Sequence, residues 1–428
     1  MTSKFLSASG ALLAVLGCLP AFAQSCPDLP EGAPAHLSLA DAVRKALESD
    51  LRPDAARAAV AAARTERAIS ALRPADTVSL EFENFPGIGI ASEIENLEVT
   101  GRFSRVWERG GKRDARTALA ERAVDVAAAG LDISRANIAF EIQSLYVELA
   151  IISEQIALAE QRLAAARDAE KLIARRVEAA RDPLLAGSRA TTDALVAEGE
   201  VARLTTEADA LKAALADYWE GQPDFSAGLC GLKQSSNDHA DHSLDVSLSP
   251  ELARLDAARR QADAAIRVAE AERIADVTWS AGVRKFGTDE SVGVLGGVSI
   301  PIGSASRAAP LQQRAASQAR QLDAEAEALR QSLLRDSARL ERAALGALSA
   351  LAAIDTGPLP EAERAVSLAN EGYARGAFSY LDVLDAQRLL FDLREQRLDY
   401  LRTFHLAEAA LARIQAANVP ASLPESVQ

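Results

Sequence analysis

The sequence predicts a mainly α-helical protein with transmembrane β-hairpins, built as a duplicated helix–hairpin–long helix–helix unit. Three observations support this prediction. The composition is 49% apolar but only 4% aromatic, which is typical of long, closely packed helices. One segment without proline is long enough for a helix of about 70 residues. Strand-like alternation of apolar and polar residues occurs in two pairs, at corresponding places in the two halves.

Composition and motifs exclude several classes of protein. The 428-residue chain has a net charge of −14 and few aromatic residues, whereas a nucleic-acid-binding protein needs a basic face. The sequence contains no nucleophile elbow, P-loop or HExxH motif, so we expect neither an enzyme nor a cofactor. No run of apolar residues reaches the length of a transmembrane helix.

The N-terminus predicts export from the cytoplasm. Residues 1–23 have a short apolar core and a small-x-small cleavage pattern at Ala21–Ala23, which are features of a secretory signal peptide. Alternatively, Val15–Cys18 resembles a lipobox, which would make Cys18 the lipidated first residue. Residues 24–37 are an irregular N-terminal segment.

Two cysteines remain after cleavage at the predicted site, Cys26 and Cys230. An even number of cysteines in an oxidising compartment favours a disulfide between them. The alternative is a pair of free thiols.

The first unit covers residues 38–220. A helix begins at Ser38 and is interrupted near Pro53. Two alternating segments, at about 77–85 and 96–106, are predicted strands. A helix then runs from Lys112 to Arg181, with apolar residues at alternating spacings of four and three that indicate coiled-coil packing: Ile138, Ile142, Leu145, Leu149, Ile152, Ile156, Ala159 and Leu163. Asp182–Pro183 and Gly187 are expected to end it, before another helix from about Thr191.

After a polar linker at 221–245, residues 246–417 repeat the same order, and 418–428 form a C-terminal tail. Strands are expected at about 277–286 and 291–302, 200 residues after those of the first unit. The helix breaks align Gly187 with Gly376 and Asp193 with Asp382.

The strand lengths suit an outer membrane, but four strands cannot close a barrel and open edges are not tolerated in lipid. The chain must therefore oligomerise if the hairpins span the membrane, and three copies would give twelve strands. The alternative is a soluble coiled-coil protein in which the hairpins cap a helical bundle.

Three motifs then suggest a family. The segment Tyr373–Gln387 (YARGAFSYLDVLDAQ) resembles the periplasmic-tip motif of the TolC family of outer-membrane efflux channels. Ser79–Gly87 and Glu108–Arg113 resemble the outer-membrane components of cobalt–zinc–cadmium cation efflux systems. The resemblance covers essentially the whole exported chain.

This resemblance implies a homotrimer whose twelve-stranded barrel in outer-membrane lipid continues as an α-helical coiled-coil tunnel through the periplasm. It implies two protein partners, a periplasmic adaptor (membrane fusion protein) and an inner-membrane RND pump. The expected function is passive conduction of divalent heavy-metal cations. Multidrug efflux and type I secretion are alternatives, and a non-channel periplasmic coiled-coil adaptor is an alternative of another class.

Candidate tip residues follow from the motif. Asp382 and Asp385 lie three residues apart at a helix start, so they share one face. In a trimer these carboxylates, with Asp193 as a further candidate, would form rings that favour cations; simple N-capping by Asp382 is the alternative. The resemblance makes Tyr373 a residue of the closed gate. Phe378 stands where some members have an arginine, so we expect a more apolar closure.

Two other segments carry candidate residues. Gly110 and Gly111 lie where a strand becomes a helix and permit a sharp turn. Lys112 and Arg113 are expected near the membrane interface, either solvated or facing lipid headgroups. His239 and His242, with neighbouring aspartates, are weak candidates for a metal site in the linker.

Overall fold

The computed structural model describes residues 36–84, 96–229, 232, 245–287, 291–417 and 419. The predicted signal peptide, Cys18, Cys26, Cys230, His239 and His242 lie outside these residues. The described chain is a long helical body that carries one four-stranded sheet at one end.

The first half contains helices α1 (Leu39–Ser49), α2 (Leu51–Ser70), α3 (Lys112–Glu178) and α4 (Leu184–Ala216), with strands β1 (Thr77–Glu83) and β2 (Glu98–Trp107) between α2 and α3. The second half repeats this order with α5 (Pro250–Ala271), β3 (Val277–Lys285), β4 (Val292–Ser299), α6 (Ser304–Thr356), α7 (Pro358–Ala374) and α8 (Tyr380–Ile414). The expected order of helices and strands is therefore present in both halves.

Helix α3 organises the helical body. Its 67 residues correspond to about 100 Å at 1.5 Å per residue, and it packs against α2, α4, α5 and α8. The predicted heptad positions Ile138, Ile142, Leu149 and Ile152 are buried. By length and composition this helix could also cross a membrane, but half of its most apolar window is buried inside the chain. Burial by neighbouring helices accounts for its hydropathy.

The expected break between α3 and α4 needs correction. Helix α4 starts at Leu184 rather than near Thr191, and Gly187 lies inside it. Pro183 is the reason, because its extended backbone (φ −72°, ψ 152°) occupies the N-cap position and the helix begins directly after it. The left-handed residues of the two breaks are Ala180 and Gly376, so Ala180, not Gly187, corresponds to Gly376.

The sheet joins the two halves. Its order is β1-β2-β3-β4, and every neighbouring pair is antiparallel, including β2 with β3 from different halves. Directly paired residues share a face of a sheet. One face is mainly apolar, with Arg105 near its helix-proximal end and Lys285 at its far end as the charged residues on it. Its apolar side chains include Val78, Leu80, Phe82, Val99, Phe103, Trp107, Trp279, Ala281, Val283, Val294 and Val298. Most of these side chains are exposed or half-buried.

Candidate functional site

The tip, defined as residues 176–193 and 373–388, is the end of the helical body where α3 turns into α4 and α7 turns into α8. Its two turns resemble each other in backbone but differ in capping. Gly376 has a φ of +78°, and the Ala377 N–H donates to the Gly372 carbonyl at 2.8 Å, which ends α7. In the first turn the left-handed position is held by Ala180 at φ +53°, a conformation that costs alanine more than glycine.

A polar network joins the two turns. The Tyr373 hydroxyl donates to Asp182 Oδ2 at 3.0 Å. Arg176 donates to both oxygens of the same carboxylate, at 2.7 and 3.2 Å, and its guanidinium lies 4.6 Å from the Tyr373 ring centroid. The hydrogen bonds from Arg176, and then that from Tyr373, hold the pKa of Asp182 below its ordinary value of 3.8.

This network adds a cation to the surroundings of Tyr373, and the expected apolar closure stays a prediction. The cation that the sequence lacks at Phe378 is supplied by Arg176 on α3, whereas Phe378 lies over Gly372. Arg176 and Asp182 were missed because they come together only when the α3–α4 turn folds back. The sequence signal for them was the strong helix stop at Asp182–Pro183, six to eight residues after the arginine pair Arg175–Arg176 of α3.

The predicted acidic residues do not share one environment. Asp382 accepts hydrogen bonds from the Ser379 N–H at 2.7 Å and hydroxyl at 2.8 Å, and Ser379 caps α8 in return, as a capping box. The hydrogen bonds from Ser379 lower the pKa of Asp382. The capping alternative for Asp382 is thus present in the structure, and its carboxylate is partly committed to its own helix.

Asp193 and Asp385 lie on either side of Arg388. The Arg388 guanidinium is 3.9 Å from Asp193 and 4.0 Å from Asp385. Asp193 Oδ2 and the nearby Tyr380 hydroxyl are buried, and neither has a hydrogen-bond partner among the described residues. Burial, and then the Asp193 carboxylate, raise the pKa of Tyr380 to about 12. The structure therefore brings Asp193 and Asp385 together around a cation that the sequence analysis did not include.

The opposite end of the molecule carries a second polar arrangement, on the polar face of the sheet. Arg284 on β3 donates to Glu83 on β1 at 2.6 Å, to Glu98 at 3.1 Å and to Thr100 at 2.9 Å. Thr100 is only 1% exposed. The sheet thus has one apolar face without charged residues over most of its length and one face with hydrogen-bonded charges.

The strand–helix junction is joined to the second half of the chain by hydrogen bonds. Gly110 and Gly111 both have positive φ, +73° and +68°. Asp276 accepts a hydrogen bond from the Arg109 N–H at 3.0 Å and from Lys112 Nζ at 2.9 Å. Lys112 is 6% exposed and also pairs with Glu272 at 3.3 Å. The expectation that Lys112 is solvated is wrong, because two carboxylates from the other half of the chain surround it.

No group of three or more histidine, cysteine, aspartate or glutamate side chains that could hold a metal ion occurs within the described ranges. The candidates His239 and His242 lie in the part of the linker that is not described. The linker hypothesis therefore stays a prediction.

Comparisons with known proteins agree with this architecture. The sequence profile of the outer membrane efflux protein family matches residues 246–417. The cobalt-zinc-cadmium resistance protein CzcC of Cupriavidus metallidurans is 29% identical over 319 residues, covering 74% of this chain and 76% of the relative. The nickel-cobalt-cadmium resistance protein NccC of Alcaligenes xylosoxydans xylosoxydans is 28% identical over 283 residues, covering 64% of this chain and 63% of the relative.

Solved structures share the fold. CusC superposes with a TM-score of 0.74 at 16% identity, covering 89% of this chain and 92% of that one. The outer membrane protein VceC of Vibrio cholerae gives a TM-score of 0.69 at 19% identity, covering 88% and 96%. The open MtrE channel of Neisseria gonorrhoeae gives 0.70 at 16% identity, covering 92% and 94%. The helical body with its four-stranded sheet therefore has the same fold as these solved structures.

Proposed function

We propose that this protein belongs to the outer membrane efflux proteins and is the outer-membrane channel of a tripartite efflux system for divalent heavy-metal cations. The family match at residues 246–417 supports the class of protein, and the names of the two relatives support cobalt, zinc, cadmium and nickel as the class of substrate. The channel is passive, and an inner-membrane RND pump and a periplasmic adaptor supply the energy and the connection.

The observation that carries the channel proposal is the two-faced sheet with free edges. Strands β1 and β4 have no strand partner on their outer edges among the described residues, yet the apolar face is exposed along all four strands. An exposed apolar face suits lipid, while unpaired strand edges do not. Pairing β4 of one copy with β1 of the next satisfies both conditions, and three copies give a twelve-stranded barrel.

In this trimer the polar face, with Arg284, Glu83 and Glu98, lines the aqueous lumen. Helix α3 in the first half, and α6 followed by α7 in the second, continue the pore through the periplasm over about 100 Å. The tip is the periplasmic entrance, where Asp193, Asp385 and Arg388 from each copy set the local charge.

Two measurements test the proposal. A heat-resistant trimer in the outer-membrane fraction is expected on a denaturing gel, and a soluble monomer would contradict the channel. The test variant is Val294→Pro, which removes a backbone donor in the edge strand β4 and should abolish the trimer. The control variant is Val60→Ala in α2, which should preserve the trimer.

The substrate class is tested by deletion and complementation. A deletion strain should become sensitive to Co²⁺, Zn²⁺ or Cd²⁺ and regain resistance with the parental gene, but not with the Val294→Pro gene. Sensitivity to hydrophobic drugs with unchanged metal resistance would instead support the multidrug alternative.

A further inference from the structure

An open cavity lies where the sheet meets the helical body. Its volume is about 580 Å³, and its walls come from the segment before β1, the end of β2, the start of α3 and Trp279. All four strands have their helix-proximal ends at this level, because β1 and β3 follow helices and β2 and β4 precede them. The cavity therefore lies at the boundary between the apolar sheet face and the polar helical body.

One wall of the cavity is aromatic. Trp107 and Trp279 line it, lie on the apolar face of the sheet and are 65% and 40% exposed. They are two of the three tryptophans in the chain. Tryptophan concentrates at membrane–water interfaces, because its ring is apolar and its N–H is polar.

The other wall is cationic. Arg105 is fixed by two hydrogen bonds to Asp76, at 2.9 and 2.6 Å, and its guanidinium lies 5.9 Å from the Trp279 ring centroid. Arg73 shares the same carboxylate at the longer distance of 3.4 Å. Two guanidinium groups thus compete for one carboxylate, which leaves positive charge at the cavity.

The carboxylates that line the cavity do not cancel this charge. The lining contains four cationic side chains and two anionic ones, Glu108 and Asp114. Glu108 is paired with Arg116 outside the cavity. Arg113, which is exposed, forms no ion pair with any residue that the structure describes. Arg73 and Arg113 are therefore the cationic side chains most available to a ligand.

We propose that this cavity binds the headgroup of an anionic glycerophospholipid from the periplasmic leaflet of the outer membrane. Arg73 and Arg113 contact the phosphate, and the acyl chains run from Trp107 and Trp279 along the apolar sheet face. The inference rests on the proposed function, because only a membrane-embedded sheet brings lipid to this level. Inorganic phosphate shares the charge but makes no use of the apolar wall, so the lipid is the occupant that matches both walls.

Tryptophan fluorescence tests the site directly. The protein is prepared as Trp219→Phe, which removes the tryptophan that packs against the helical core and leaves only Trp107 and Trp279. The assembled protein is placed in phosphatidylcholine vesicles that contain increasing fractions of brominated phosphatidylglycerol or brominated phosphatidylcholine, which quench nearby tryptophans. The test variant is Arg73→Gln with Arg113→Gln. The control is Arg189→Gln, an exposed arginine at the tip with no ion pair among the described residues.

Half-maximal quenching by brominated phosphatidylglycerol should require about a fivefold lower mole fraction than half-maximal quenching by brominated phosphatidylcholine, for each arginine that contacts the phosphate. The double variant should lose most of this preference, and Arg189→Gln should keep it. Inorganic phosphate at about 10 mM should not reverse the quenching, since the site's apolar wall requires acyl chains. Equal quenching by both lipids, or an unchanged preference in the double variant, would overturn the headgroup site while leaving membrane insertion intact. Absence of quenching by either lipid would overturn the membrane placement as well.

Discussion

Tyr373 donates a 3.0 Å hydrogen bond to Asp182, and the two residues are 191 positions apart in the sequence. The contact joins the α7–α8 turn of the second half to the α3–α4 turn of the first. Arg176 holds the same carboxylate with two hydrogen bonds. The two turns of the tip therefore form one unit, and its stability depends on three side chains.

Arg176→Ala should loosen the tip. The change leaves Asp182 with only the Tyr373 hydroxyl, and loss of hydrogen bonds to a partly buried charged group costs about 1–3 kcal/mol. Hydrogen–deuterium exchange should become faster in residues 179–184. Arg175→Ala is the matched control, since Arg175 donates only to the Lys171 carbonyl of its own helix. Equal exchange in the two variants would exclude the network as a source of tip stability.

The network should depend on pH at both extremes. The pKa of Asp182 is depressed by Arg176, so its stabilising contribution is present above the ordinary value of 3.8 and is lost as the pH falls below it. Burial raises the pKa of Tyr373 to about 12, so its contribution is present below the ordinary value of 10 and is lost as the pH rises towards 12. The difference in melting temperature between the parent and Arg176→Ala should be constant from about pH 5 to 9 and shrink below about pH 3.8. A difference that disappears near pH 6 would contradict this assignment.

Removing the charge of Asp385 and removing the charge of Arg388 should change cation selectivity in opposite directions. Asp385→Asn removes a negative charge beside Arg388 and should lower cation selectivity in planar bilayers, whereas Arg388→Gln removes the cation and should raise it. Asp382→Asn should have the smaller effect on selectivity, because that carboxylate caps its own helix. Equal selectivity of Asp385→Asn, Arg388→Gln and the parent would remove the tip from the conduction path.

The adjacent glycines at the strand–helix junction should respond differently to alanine. A Cβ at Gly110 would meet Ile274 Cβ and Cδ1, both at 2.9 Å, whereas a Cβ at Gly111 meets nothing within 4 Å. Gly111→Ala should therefore cost only the backbone term of about 1–2 kcal/mol, and Gly110→Ala should cost more. Gly130→Ala, inside α3, should stabilise by up to about 1 kcal/mol. The expected order of trimer melting temperature is Gly130→Ala, then Gly111→Ala, then Gly110→Ala. Equal melting temperatures for the two junction variants would indicate a loose loop.

Lys112→Met should destabilise the junction between the two halves of the chain. It leaves Asp276 and Glu272 without their shared cation at a position where the lysine is almost fully buried. The cost should be about 1–3 kcal/mol, because both carboxylates keep some solvent contact. Lys171→Met removes an exposed pair with Asp168 and should change the melting temperature little. Similar melting temperatures for both variants would mean that solvent replaces the buried cation at no cost.

The sequence predicted the order of helices and strands well because periodicity and breakers are local signals. The alternation around Leu80 and Val283 located strands whose ends differ from the expected ones by at most three residues. Pro358 is the first residue of α7, directly after α6 ends at Thr356 and Gly357, a position where proline is tolerated. The start of α4 was missed because Gly187, a possible breaker, is tolerated one turn inside a helix that Pro183 begins.

The sites were predicted less completely because their partners are distant in the sequence. Tyr373 and Asp385 were named from a motif, but Arg176 and Asp182 were not, since they lie far from it in the sequence. Arg388 was also missed, although its position three residues after Asp385 puts both on one helix face. Lys112 was expected in solvent because its neighbours are polar, and its burial depends on Asp276, 164 residues away. Contacts between the two halves of the chain are thus the part of the site that local pattern does not contain.

The pairing of β2 with β3 has a consequence for symmetry. In the proposed trimer two kinds of strand pairing join first and second halves, and they alternate around the barrel. One is β2 with β3 within a chain, and the other is β4 with β1 between chains. Each helical turn of the first half is therefore flanked by two of the second half around a pseudo-sixfold ring. Because both halves belong to one chain, they are always present in equal numbers, and their turns can differ. The first turn ends at Pro183, which begins α4, and the second is capped by Ser379 and Asp382. Movement of the entrance can then involve three of the six turns while the other three remain in place.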